Sequence, residues 1–449
     1  MARSPDTIAA LATPAGTAAI AVVRISGNDT SRIGGDIFGE FPPPRLVHRA
    51  NYRDRSGTVL DDVLVTFFKE PNSYTGEDSL EVSCHGNPFI AQRVLEDLYA
   101  RGCRPAGPGE FTRRAFLNGR MDLSQAEAVM DLIHARSERA LAAARRQLDG
   151  ALGRQMQGLI DGVLDSLARV EAYIDFPDEN LPKEDLEAVR SELRAVLRDA
   201  DRLLATRHYG ELMRNGVKTV IFGEPNVGKS SLLNRLVGRD RAIVSPEPGT
   251  TRDFIEELVT VGPHCLRLID TAGLSEAPAP LEKLGMAKTL ERIADSDLLL
   301  LVVDATHPTP LPPAGLKLDP ARTLRVLNKS DLFLGPLVPE PSARFETLAV
   351  SALTGAGIDE LREALARRAD GFQAAVGADS VAINARHAHA LSQAKECLGA
   401  ALLKLESAPE SELLASDLRG ALDALGEISG RVDNEQVLDR LFASFCIGK

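Results

Sequence analysis

Val217-Lys-Thr-Val-Ile-Phe222, followed at once by Gly223-Glu-Pro-Asn-Val-Gly-Lys-Ser230, decides the fold of this chain. An apolar run of strand length, a glycine-bounded loop and a helix start over Ser230–Leu236 read as strand, phosphate cradle and helix N-terminus. The glycines let backbone approach phosphate oxygens where a Cβ would collide. Lys229 is placed to reach the β and γ oxygens, and the Ser230 hydroxyl to ligate Mg²⁺. Asn226, Val227, Gly228 and Ser231 complete the cradle. Taken alone, the pattern fits chance or an ATPase as well as a GTPase.

The base is decided downstream. Asn328-Lys-Ser-Asp331 follows an apolar strand, Leu324–Leu327, and Ser351-Ala-Leu353 follows Ala349-Val350. Asp331 can accept from the N1–H and the exocyclic amine of guanine, a pair of donors that adenine does not offer in that arrangement. Asn328 and Lys329 would brace the base, while Ser351, Ala352 and Leu353 would bring a backbone N–H to O6. Either piece alone reads as a polar turn after a strand; the two in register point to guanine. Asp270-Thr-Ala-Gly273 ends the strand Leu266–Ile269. There Asp270 would hold Mg²⁺ through water, Gly273 would sense the γ-phosphate, and Thr271 and Ala272 lie between. Gly249-Thr-Thr-Arg-Asp253 supplies the metal-binding threonine, Thr251. The next residue after Gly273 is Leu274, where signalling GTPases of the Ras type carry a water-orienting glutamine. Leucine cannot hydrogen-bond water, and no arginine immediately precedes Thr250 to serve as a finger in cis.

Asn226, Pro248-Gly-Thr-Thr-Arg-Asp253 and Leu274 together resemble the potassium-activated GTPases. That resemblance implies a K⁺ held by Asn226 with carbonyls of Ser245, Glu247 and Thr250, supplying the positive charge of the missing finger. The surrounding Ser245-Pro-Glu-Pro248 carries two prolines.

Motifs that GTP hydrolysis does not need lie outside this region. They are Thr7-Ile-Ala-Ala-Leu-Ala-Thr-Pro14, Ala21-Val-Val-Arg-Ile-Ser-Gly27, Asn72-Ser-Tyr-Thr-Gly-Glu-Asp-Ser-Leu-Glu81, Cys84-His-Gly86, Pro108-Gly-Glu-Phe-Thr-Arg113, Asp122-Leu-Ser-Gln-Ala-Glu127 and Cys446-Ile-Gly-Lys449. With them, the sequence resembles the MnmE (TrmE) family of tRNA-modification GTPases over essentially its whole length. The resemblance implies an α/β multidomain protein with an N-terminal folate-binding-like domain, a discontinuous helical domain and an inserted Ras-like G domain. It implies that Arg24, Glu81, Arg120 and Lys449 contact a 5-formyl- or methylene-tetrahydrofolate, with Arg120 presenting a planar fork where lysine is usual. From their residue types alone, without the resemblance, Arg24 and Glu81 read rather as an ion pair at strand ends. Glu282 aligns with the family glutamate that orients the attacking water, the task Leu274 leaves open. Cys446 aligns with a thiol tied to the modification reaction; without the resemblance it reads as a spectator on a frayed tail, and a prenylation box fits poorly.

The implied function is addition of an aminomethyl or carboxymethylaminomethyl group at C5 of wobble uridine 34 in certain tRNAs. A homodimer would act in a heterotetramer with an FAD-dependent MnmG (GidA)-like protein. FAD belongs to the partner, since no G-x-G-x-x-G opens a strand–helix unit here. A GTPase switch without modification chemistry, such as a ribosome-assembly factor, shares the G domain, and a one-carbon transferase with a regulatory G domain is a third class.

Length and composition agree: 449 residues suggest about three domains. The expected boundaries are 1–118, 119–215, 216–376 and 377–449, with Gly371–Ser380 read as an exit linker. No apolar run reaches the ~20 residues of a membrane span. The resemblance begins by Thr7, leaving no room for a cleaved leader, and five cysteines without paired spacing suit a reducing cytoplasm. The net charge of −12 disfavours RNA, yet residues 1–118 hold 13 Lys plus Arg against 14 Asp plus Glu, so the acidic excess lies downstream. Arg113-Arg114, Arg120, Arg136, Arg139 and Arg145-Arg146 form the densest basic stretch, readable as a solvated helix face or as a tRNA contact.

Overall fold

The computed structural model describes residues 6–39, 43–175, 183–238, 256–270, 290–307, 318–333, 344–377, 380–407, 411–430, 435–443 and 445–448. They fall into two compact units, one of Met1–Met130, Leu152–Gln157 and Leu425–Lys449, the other of Asp131–Ala151 and Gly158–Ala424.

The first unit is built on β1 (Ile8–Leu11), β2 (Ile20–Ser26), β3 (Val47–Arg53), β4 (Val59–Phe68), β5 (Ser79–His85) and β6 (Arg104–Pro105), in sheet order β3-β4-β5-β2-β1-β6. Its pairs are antiparallel except β1 with β6. Alternation sets the two faces. Ala21, Val23 and Ile25 of β2 enter a core with Ile33, Val94 and Leu98 from α1 (Thr30–Phe38) and α2 (Pro88–Ala100). Arg24, between them, takes the opposite face. Helix α2 starts where it does because Pro88 occupies its first turn and the Asn87 side chain accepts from the Phe89 N–H. Below the sheet, α3 (Glu110–Leu117) seats Phe111 with Ile8 and Ala10.

In the second unit β7 (Val217–Phe222), β8 (Glu256–Val261), β9 (His264–Asp270), β10 (Leu298–Asp304), β11 (Thr323–Asn328) and β12 (Glu346–Ala349) order as β12-β11-β10-β7-β9-β8. All pairs are parallel except β8 with β9. A parallel sheet is covered on both faces, hence the unbroken run Leu298-Leu-Leu-Leu-Val-Val303 with every side chain buried. One face packs with Leu232, Leu233 and Leu236 of α4 (Lys229–Val237) and with Leu361 and Leu365 of the helix Ile358–Val376. This is the Ras-like G-domain arrangement. Helices Lys183–Ala205 and Ala385–Ser407, on either side of it in sequence, are tied by Lys395 to Asp201 at 2.6 Å and by Arg190 to the Leu405 carbonyl at 3.1 Å.

Two readings change. The exit linker begins later, because Ile358–Val376 continues through Gly371–Val376 on buried Leu361, Leu365 and Ala369 and ends at Gly377, whose φ of +89° suits glycine. The basic stretch is not one free face. Arg113 pairs with Asp439 at 3.0 Å and Arg139 with Asp370 at 2.5 Å. Arg114, 3% exposed, is locked to Asp6 (2.7 Å), Glu110 (3.0 Å) and Glu77 (3.3 Å).

Burial alone would raise the carboxyls of Asp6 and Glu110, but hydrogen bonds from Arg104 and Arg114 outweigh it and hold both below their ordinary values. Their contribution to stability is therefore complete above the ordinary carboxylate value near ~4 and lost as pH falls below it through the lowered folded-state values. Arg114→Ala strands Glu77, 4% exposed. It is expected to destabilise the unit by about 3–5 kcal/mol in urea unfolding at neutral pH, with a smaller deficit below about pH 4; a loss under about 1 kcal/mol would mean that the buried charges re-pair.

Candidate functional site

The phosphate loop, Asp270, Asn328 and Ser351 all stand at the carboxyl edge of the parallel sheet: the loop follows β7, Asp270 and Asn328 end β9 and β11, and Ser351 comes just after β12. Ligands of open α/β sheets bind at that edge. Gly223 has φ +152°, and a Cβ there would lie 2.2 Å from the Val302 carbonyl oxygen; at Gly228, φ +94°, it would lie 2.3 Å from Asn328 Nδ2. Asn226 between them is left-handed at φ +62°. Helix α4 begins at Lys229, so the N–H groups of Lys229, Ser230 and Ser231 are first-turn donors without an intrahelical acceptor. The Lys229 ammonium, 6% exposed, donates to the carbonyls of Gly223 (3.1 Å) and Glu224 (2.8 Å). Burial pulls its pKa below the usual lysine value against the opposing charge of Asp270. Ser230 Oγ donates to Asp270 Oδ2 at 2.7 Å, so the hydroxyl and the carboxylate converge on one point.

On the base side, Asn328 is 2% exposed. Its Nδ2 donates to the Val227 carbonyl at 2.8 Å while its Oδ1 accepts from the Ala352 N–H at 3.0 Å. Asp331 Oδ1 accepts from Ser351 Oγ at 2.5 Å, and Ser351 Oγ accepts from the Thr354 N–H at 3.0 Å. Leu353 is 81% exposed. Thus Val227, Asn328, Asp331, Ser351, Ala352 and Leu353 are brought together. The Ala352 N–H, expected at guanine O6, is here engaged by Asn328.

Sequence reading missed Asp304. Lys329 is held left-handed at φ +65°, and its ammonium bonds Asp304 Oδ2 at 2.7 Å. The Lys329 bond first, and that from Thr306 Oγ1 second, hold the Asp304 carboxyl down at about 2. Asp304 is the β10 residue in register with Asn328, so its place at a strand end beside the base-reading motif was the available signal.

Arg24 and Glu81 are cross-strand partners in β2 and β5, and Arg24 Nε donates to Glu81 Oε1 at 2.9 Å. The ion-pair geometry is therefore present. The Arg24 guanidinium also lies 5.4 Å from the Tyr74 ring centre and 5.6 Å from that of Phe111. The chain end comes to this group. Gly109 N–H donates to the Cys446 carbonyl at 3.2 Å, Pro108 bridges Ile447, and Arg24 Nη1 reaches the Gly448 carbonyl at 3.3 Å. Gly448 has φ +94°, and a Cβ there would lie 2.2 Å from the Leu11 oxygen. Cys446 itself is exposed. Arg120 is exposed too, its stem 3.2 Å from where a Gly76 Cβ would stand. Ser245, Glu247, Gly249, Thr250, Thr251, Thr271, Ala272, Gly273, Leu274, Glu282 and Lys449 lie outside the described residues.

Residues 123–446 match the family model of the MnmE helical domain, and residues 7–120 that of the GTP-binding protein TrmE N-terminus. The chain is 63% identical over 447 residues to the tRNA modification GTPase MnmE of Opitutus terrae, spanning 99% of both chains. To the tRNA modification GTPase MnmE of Akkermansia muciniphila it is 46% identical over 450 residues, again spanning 99% of each.

Asp304→Asn is expected to weaken binding of guanine nucleotide about threefold to tenfold in isothermal titration, the worth of one half-exposed charge-assisted bond. Unchanged affinity would mean that the backbone alone holds Lys329.

Proposed function

The chain belongs to the MnmE family of tRNA modification GTPases, and from that premise we propose that with an FAD-dependent MnmG-like protein it adds an aminomethyl or carboxymethylaminomethyl group at C5 of wobble uridine 34 in certain tRNAs. It is a GTPase acting in tRNA modification. The observation that supports the fuller reading is the docking of the Cys446–Gly448 tail, by its backbone, on Gly109, Pro108 and Arg24, which brings the segment carrying the exposed Cys446 to the Arg24–Glu81 pair.

In this reading Asp331 accepts from the guanine edge and Ser351–Leu353 meet O6. Lys229 leaves the loop carbonyls for the β and γ oxygens, offsetting the cost of its own burial. Ser230 and Thr251 would ligate Mg²⁺ as hard oxygen donors, and Asp270, whose Oδ2 lies 2.7 Å from Ser230 Oγ, would hold the ion through water. Bound there, Mg²⁺ supplies charge that stabilises the phosphate oxygens. Asn226 presents an amide oxygen from a left-handed position on the loop, a donor type suited to K⁺, with Ser245, Glu247 and Thr250 as its further ligands. Glu282 orients the attacking water for in-line displacement.

Arg24, Glu81, Arg120 and Lys449 would hold tetrahydrofolate, whose chemistry is delivery of one carbon. Here the partly buried Tyr74 offers ring surface beside the charge pair, as a flat heterocycle with an acidic tail requires, while Phe111 backs Arg24 from the core. The protein works as a homodimer within a heterotetramer, and GTP hydrolysis drives movement of the G domains.

Wobble nucleosides from a deletion host, analysed by mass spectrometry, should lose the C5-aminomethyl family of uridines. Wild type should restore them and Cys446→Ser should not. An unchanged profile in a host without a redundant enzyme would remove the modification reading. GTP turnover should be about tenfold or more faster in K⁺ than in Na⁺ at matched ionic strength, as expected for loss of one charge-stabilising group; equal rates would leave no cation site at Asn226.

A further inference from the structure

Arg235 stands in the last turn of α4, the helix that begins at the phosphate loop, and none of the motifs for phosphate, metal or base includes it. Its guanidinium reaches across to the loop after β12. Nε donates to the Ala352 carbonyl at 3.1 Å and Nη2 to the Leu353 carbonyl at 2.5 Å. Gly355, left-handed at φ +92°, borders the same group; a Cβ there would come 3.4 Å from Nη2. Both ends of a half-buried fork are thus committed to two consecutive peptide carbonyls.

The peptide unit is planar and trans, so its C=O and N–H point in opposite directions. Holding the Ala352 carbonyl toward Arg235 turns the Leu353 N–H away from the guanidinium, and holding the Leu353 carbonyl fixes the next plane in turn. The preceding N–H, that of Ala352, is set by Asn328 Oδ1. We infer that Arg235 is a positioning residue for guanine recognition: it sets the Ala352–Leu353 peptide so that the backbone donors of this loop meet O6, and it links that loop to the phosphate-loop helix. The inference rests on the reading of Ser351–Leu353 as the O6 contact. A cationic fork is suited to the task because two charge-assisted bonds fix orientation as well as distance.

The test is displacement of a fluorescent guanine nucleotide from the full-length chain by three competitors. They are GDP, inosine diphosphate, which lacks only the exocyclic amine, and 2-aminopurine riboside diphosphate, which lacks O6 and the N1 proton. Wild type should discriminate against both analogues. Arg235→Ala should weaken GDP about tenfold but the 2-aminopurine analogue less than about twofold, while the GDP-to-inosine ratio holds within about twofold. Arg235→Lys, which keeps charge and stem but not the fork, should fall between them. A thermal melt of each variant reports folding, and the inosine ratio reports whether Asp331 is still in place. Equal weakening of all three nucleotides in both variants, or discrimination against the 2-aminopurine analogue as strong as in wild type, would overturn the role of Arg235. A wild-type protein that binds GDP and the 2-aminopurine analogue equally would overturn the reading of the loop itself, and the inference with it.

Discussion

One buried amide holds the nucleotide edge of the G domain together. Asn328 gives its Nδ2 hydrogen to Val227 in the phosphate loop and its oxygen to the Ala352 N–H in the guanine loop. At 2% exposure, an amide left unsatisfied there would cost about 1–3 kcal/mol, so the two loops are obliged to stay where they satisfy it. The constraint runs both ways. Gly228 carries no Cβ because one would lie 2.3 Å from that Nδ2, and Lys329, next in sequence, takes a left-handed backbone that sends its ammonium to Asp304. The loop before α4 and the loop after β12 are therefore mechanically one object.

The N-terminal unit depends on the opposite device, charge buried and fully paired. Arg114 collects carboxylates from Asp6, Glu77 and Glu110, and Ser26 and Thr75 close the network around Glu77 and each other. Such a cluster contributes little net stability, yet removing one member leaves the others stranded. Its effect is positional: it locks the first described residues and the loop before β5 onto α3, the helix that supplies Phe111 beside Arg24. Against this rigid platform the chain end is laid down through backbone bonds, and Gly448 fits because no side chain comes between it and the Leu11 oxygen.

Much of this was legible in the sequence. The strand Val217–Phe222, the helix after the glycine loop and the strand Thr323–Asn328 follow from apolar runs bounded by turn residues, and the described motif residues lie along one sheet edge because parallel strands put their carboxyl ends on one side. The basic stretch misled because composition counts charges without their partners: Arg114 looks like surface in a run of arginines and is buried against Glu77, a residue from another motif. Asp304 was passed over because nothing beside it in the chain needs a carboxylate; its partner lies on the neighbouring strand.

The sequence by itself determined the backbone features that a few neighbouring residues encode: glycines at left-handed positions, buried strands and a helix start after a glycine loop. Only the tertiary structure decided which distant groups complete them, such as Asn328 on two loops, Arg235 on the peptides of Ala352 and Leu353, and Arg24 on the carbonyl of Gly448, 424 residues away. The reason is that local preference fixes φ and ψ over a turn or two, whereas a long-range contact exists only when two surfaces have been packed against each other. That packing is set by the summed burial of the whole core rather than by either residue's own neighbours.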